Sequence, residues 1–165
     1  MPPSEAPFTG GCQCGAVRFA VGRLGRGSIC HCRMCQKAFG AFFGPLVTAF
    51  DVRWTRGAPK YFDSSDKVKR GFCAECGTPL TYEELARPPD QQVEIAIGAF
   101  DDPTVAAPVI QVNMTDKLPF FDALATLPVR TEYSVGWHEF MASLVSHQHP
   151  DHDTAEWPSK QGFPA

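Results

Sequence analysis

This chain of 165 residues contains no apolar run approaching the roughly 20 residues needed to cross a bilayer. Its first stretch, MPPSEAPFTGG, has neither a basic segment nor an apolar one, which argues against a secretory leader and predicts a soluble, cytoplasmic protein. Positive charge is also scarce. The formal net charge is -3 with a pI near 5.9, and Lys and Arg are scattered, so binding to nucleic acid through phosphate contacts is not expected. There is no internal repeat beyond the cysteine clusters and no low-complexity segment. The length favours one domain with a real core over two.

Turn formers are plentiful. With 14 Gly and 15 Pro, the composition predicts a mainly β, turn-rich protein with little helix. AVRFAV at 16–21 alternates, with Val17, Phe19 and Val21 on one side and Arg18 on the other. VTAF (47–50), VRW (52–54), KVKRGF (67–72, with Val68, Arg70 and Phe72 on one side), QVEIAIGAF (92–100) and PVIQVNM (108–114) read as further strands. Residues 86–91 and 101–103 carry turn chemistry, and the glycine-rich 22–27 reads as a turn rather than a phosphate loop. Trp137, Phe140, Met141 and Leu144 fall at helical spacing, predicting a short helix over 137–146 ahead of an extended or mobile tail.

Seven cysteines carry the chemistry. Thiols rarely pair in a reducing compartment, and an odd count cannot pair fully, so metal ligation leads. Their order is Cys12-x-Cys14, then Cys30-x-Cys32-x2-Cys35, then Cys73-x2-Cys76. Each short pair lets one tight turn present two sulfurs to one ion, so Cys12, Cys14, Cys73 and Cys76 would form a closed four-thiolate zinc site. A redox role for Cys73 and Cys76 fits poorly, because Gly77 and Pro79 follow where a thioredoxin-like pair opens a helix. Cys30, Cys32 and Cys35 are left, and three thiolates on a zinc leave a fourth position for water or substrate, the mark of a catalytic site. The competing possibility is that His31 or a distant side chain fills that position and closes a second staple. Strand geometry would point His31 away from its neighbours' metal. With two divalent ions and seven thiolates, the net charge would fall to about -6.

GGCQCGAVRF (10–19), CHCRMCQK (30–37), GFCAECGTPL (71–80) and GAFDDP (98–103) together resemble the glutathione-dependent formaldehyde-activating enzyme family, which includes centromere protein V. The similarity runs over residues 8–128, leaving 129–165 as a C-terminal extension. It implies twisted antiparallel sheets similar to those of methionine sulfoxide reductase B, and two zincs. The structural ion would be held by Cys12, Cys14, Cys73 and Cys76, and the catalytic one by Cys30, Cys32 and Cys35. The implied activity is condensation of formaldehyde with glutathione, classed in reverse as a carbon-sulfur lyase. His31 is then a candidate proton carrier by position, and Arg18, Arg33 and Lys37 could meet glutathione carboxylates. In NMTDKLPFFDAL (113–124) the family's usual Trp after Lys-x-Pro is replaced by Phe120. A reading from another class is a zinc-stapled protein-binding module without catalysis. Lastly, His147, His149, Asp151 and His152 spell H-x-H-x-D-H, but such hydrolases need further ligands well downstream and only 13 residues follow, so the match reads as a coincidental polar tail.

Overall fold

A computed structural model describes residues 7–88 and 92–158. It contains two sheets. Strands β1 (Phe8–Gly11), β2 (Arg18–Val21) and β5 (Arg53–Arg56) form the smaller one in the order β1-β2-β5. The larger has seven strands: β3 (Arg23–Cys30), β4 (Gly44–Phe50), β6 (Lys60–Asp63), β7 (Val68–Phe72), β8 (Pro79–Glu84), β9 (Val93–Ala96) and β10 (Pro108–Val112). Their order is β10-β3-β4-β9-β8-β7-β6. Helices α1 (Arg33–Phe39) and α2 (Val135–Ser143) complete the regular elements, apart from short 3-10 turns.

Side-chain alternation decides which face of each strand is dry. Val17, Phe19 and Val21 share a side as their pattern predicts, and they join Val47, Ala49, Val93 and Ile95 of the large sheet in one core. Phe19 lies at its centre, edge-on to both Trp54 and Phe100. The opposite alternation on β4 and β9 puts Thr48 beside Glu94, neither of which belongs to that core. One face of the large sheet is therefore dry, and the other carries polar groups.

Several expectations need correction. The pairings are not all antiparallel, since β10 runs parallel to β3. Residues 23–27 belong to strand β3 rather than to a turn, although its pairing with β4 is irregular between Leu24 and Gly27. Gly27 suits a strand here because a Cβ would come within 2.7 Å of the Ala106 and Ala107 carbonyl oxygens. The stretch 92–100 is strand only to Ala96, then a 3-10 turn over Ile97–Ala99. Of the turn expected at 86–91, the described start closes with Arg87 N–H donating to Glu84 O at 3.0 Å, and residues 89–91 lie outside the described part.

Helix α2 starts two residues before the expected position, where the Ser134 hydroxyl accepts from Trp137 N–H, and none of its residues is buried. Beyond it, the tail is extended and tied down. His149 N–H donates to Gln13 O at 2.7 Å, and the Trp157 indole N–H donates to Cys14 O at 2.6 Å. His149, part of the polar motif at 147–152, is buried against Gly15. Residues 159–165 of the expected tail lie outside the described part.

Candidate metal centres and the cavity beside them

The seven cysteines gather into two groups. Cys12 and Cys14 sit in the turn from β1 to β2, and Cys73 and Cys76 in the turn from β7 to β8; the four sulfurs lie within 4.8 Å of one another. Tetrahedral thiolates on zinc stand about 3.8 Å apart. The Cys12–Cys14 separation of 3.6 Å and the Cys14–Cys73 separation of 3.9 Å match that spacing. The turns supply donors as well: Val17 N–H reaches Cys12 Sγ at 3.2 Å, and the Thr78 hydroxyl lies 3.1 Å from Cys76 Sγ. Burial opposes ionisation of Cys76, but Thr78 and nearby N–H groups bring its thiol down to about 6, while burial pushes Cys14 and Cys73 up. With no metal, such a group shares protons; a cation would release them.

Cys30, Cys32 and Cys35 form the second group, also within 4.8 Å of one another. Cys30 ends β3, Cys32 caps α1 and Cys35 lies in its first turn. Each sulfur receives at least one N–H donor. Asn113 Nδ2 donates to Cys30 at 3.1 Å, Cys35 N–H to Cys32 at 3.4 Å, and an Arg70 guanidinium nitrogen to Cys35 at 3.4 Å. A hydrogen bond from the Cys35 thiol holds Cys30 down to about 5, assisted by Asn113; that shared proton and burial push Cys35 up. Sulfur donors that each accept an N–H suit a soft or borderline divalent cation. Among the described residues no further Cys, His, Asp or Glu completes the group.

The three cysteines open on a cavity of about 370 Å³ over the polar face of the large sheet. Its floor is a cross-strand row, Arg70 opposite Tyr82, Tyr82 opposite Glu94 and Glu94 opposite Thr48, with Arg26, Ser28 and Asn113 at the margins. Arg70 is buried over the Tyr82 ring, 5.1 Å from its centroid. Burial and the Glu84 charge raise the Tyr82 phenol, keeping it protonated.

Other expected site residues stand elsewhere. The His31 ring is fully buried, donates from Nε2 to Gln111 Oε1 at 2.8 Å and meets Phe121 edge-on; it does not line the cavity. Arg18 is buried with Asp101 and Asp153 as partners, at 2.6 and 2.8 Å, and is spent on its own carboxylates. Arg33 bonds Gln36 within α1, and Lys37 is exposed in the helix's last turn; neither lines the cavity. Arg70 and Glu94 were missed as site residues. The readable signal was an arginine on the apolar side of KVKRGF and a glutamate between Val93 and Ile95.

A crystal structure of a Rhodobacter sphaeroides protein shares the fold, with a TM-score of 0.50 at 22% identity, the match covering 63% of this chain and 99% of that one. Among the described residues no helix is long and apolar enough to cross a membrane. The family profile described as glutathione-dependent formaldehyde-activating enzyme matches residues 7–116, a span that takes in both sheets and all seven cysteines. With that much of the chain matched, this protein belongs to the glutathione-dependent formaldehyde-activating enzyme family.

Proposed function

We propose that the protein is a zinc-dependent enzyme of the carbon-sulfur lyase type, which adds glutathione or a similar thiol to formaldehyde or another small aldehyde and also catalyses the reverse. The observation that carries this reading is the set of three cysteines, without a fourth protein donor among the described residues, opening on a cavity. In this reading Cys12, Cys14, Cys73 and Cys76 hold a structural zinc, and Cys30, Cys32 and Cys35 hold a second with one position left. When bound there, zinc would supply positive charge that favours the thiolate form of an incoming thiol. Seven free thiols suit a reducing cytoplasm.

The chain's own groups do the rest. Asn113, Arg70 and the Cys35 N–H stabilise negative charge on the three sulfurs. Addition forms a bond from the substrate sulfur to the aldehyde carbon; the thiol gives up one proton, and the carbonyl oxygen gains one. The protonated Tyr82 phenol in the cavity is placed to donate to that oxygen, whereas the His31 ring is not.

Two-dimensional exchange NMR of glutathione with formaldehyde at equilibrium tests the activity. Zinc-loaded protein should accelerate exchange, and Cys32→Ser should abolish the acceleration. No acceleration by the wild-type protein would contradict glutathione and formaldehyde as its substrates, and none with other thiols and small aldehydes would favour a zinc-stapled binding module.

A further inference from the structure

At the end of the cavity away from the cysteines, two opposite charges lie near each other without pairing. Glu94 on β9 stands opposite Thr48 on β4, and Arg26 on β3 lines the same cavity beside Thr48. Both hydrogen bonds to the Glu94 carboxylate fall on Oε1, from Thr48 at 2.9 Å and Gln92 at 3.3 Å, so Oε2 accepts none among the described residues. Arg26 is exposed to the cavity, and no described residue partners its guanidinium. The other charges are engaged: Arg70 on Cys35, and Glu84 with Arg87. An unmatched carboxylate beside an unmatched guanidinium is complementary to an ammonium and a carboxylate on one carbon.

The spacing sets the length of the ligand. Four residues of strand separate Cys30 from Arg26, about 13 Å at 3.3 Å per residue. Free cysteine has only two bonds between sulfur and α-carbon and cannot bridge that span. A γ-glutamyl thiol places its α-amino-acid head several bonds farther away, and the flexible Arg26 side chain covers the remainder.

We propose that this end of the cavity is an α-amino-acid subsite, where Glu94 takes the ammonium and Arg26 the carboxylate of a γ-glutamyl thiol whose sulfur lies at Cys30, Cys32 and Cys35. The inference rests on the thiol-binding reading above. Burial raises the Glu94 carboxyl; Thr48, Arg87 and Gln92 lower it in part, while Glu84 repels its charge. An arriving ammonium supplies a direct ion-pair partner, which Glu94 does not have among the described residues.

Calorimetric titration of the zinc-loaded full chain tests it with glutathione, deamino-glutathione lacking the α-amino group, and cysteine. Glu94→Gln should weaken glutathione about 10- to 100-fold, the range for hydrogen bonds to a charged group. The same change should leave deamino-glutathione within about twofold, and Arg26→Gln should weaken both. Cysteine should bind wild type and Glu94→Gln alike. Equal losses for glutathione and deamino-glutathione in Glu94→Gln, or no loss for glutathione, would overturn the subsite. Should Glu94→Gln fold poorly, Glu94→Asp serves as a second carboxylate variant, with a smaller loss confined to glutathione. The two readings fail separately. Ammonium-dependent binding without accelerated exchange would sink the enzyme reading alone, and accelerated exchange with no ammonium dependence would sink the subsite alone.

Discussion

The Arg70 guanidinium donates to Cys35 Sγ at 3.4 Å, and among the described residues no carboxylate lies within ion-pair distance of it. A buried cation without a carboxylate is costly unless another negative group faces it. The Cys35 sulfur is that group, as thiolate when the triad holds a cation. Replacing Arg70 by Gln should weaken zinc at the triad about 10- to 100-fold, the usual cost of removing an outer hydrogen-bond partner. Competition with a chelator, followed separately for each ion, measures this; the four-cysteine site should keep its affinity.

Because the two cysteine groups sit in different parts of the fold, their losses should differ. Cys73→Ser removes a donor that joins the β1–β2 turn to the β7–β8 turn, so it should lower both zinc content and thermal stability. Cys32→Ser should release the triad ion with a smaller change in melting temperature. Metal analysis beside thermal unfolding gives both readouts.

Gly15 has φ +76°, and a Cβ there would run into the His149 ring. The tail is also fastened nearby by Arg56, which donates to Gly15 O at 3.1 Å and to His149 Nε2 at 3.2 Å. Gly15→Ala should cost about 1–3 kcal/mol through backbone strain and loss of tail docking. Chemical denaturation measures the energy, and hydrogen exchange at residues 148–157 reports the release.

Arg18 and Asp101 form a two-point ion pair in which both side chains are largely shielded, with Thr9 donating to the same carboxylate at 2.6 Å. Burial opposes ionisation of Asp101, but Arg18 and Thr9 hold its carboxyl below the ordinary 3.8. The unfolded chain therefore binds the proton more readily than the folded one. The pair's contribution is fully present above the ordinary value and is lost as pH falls through the lower folded value. Asp101→Asn should cost about 3 kcal/mol at neutral pH. Its stability should also fall less steeply in acid than that of wild type, as denaturant titrations across pH would show.

The two cysteine clusters were legible because ligand spacing is local chemistry: two cysteines in one short turn can face a single ion whatever the rest of the chain does. The core of β2 was legible for a similar reason, since Val17, Phe19 and Val21 announce a face by alternation. Arg18 was harder to read, because the cover on its other side comes from Asp101 and Asp153, far along the chain. The cavity floor depends on register. Arg70, Tyr82, Glu94 and Thr48 become neighbours only once four strands pair, so no local window shows them together. Gly25 and Gly27 mimicked a turn, whereas Gly27 permits the close approach of residues 106–107 beside a parallel strand. His31 lies between Cys30 and Cys32 in sequence, yet the end of β3 turns its ring toward Gln111 and Phe121.

The open position proposed at Cys30, Cys32 and Cys35 is tested most directly by zinc K-edge absorption on the zinc-loaded full chain, before and after glutathione is added. One closed four-sulfur ion and one open three-sulfur ion predict a mean of about 3.5 sulfurs per zinc, rising to about 4 with glutathione. A mean near 4 at the outset, or one that glutathione leaves unchanged, would contradict a triad that takes a substrate sulfur.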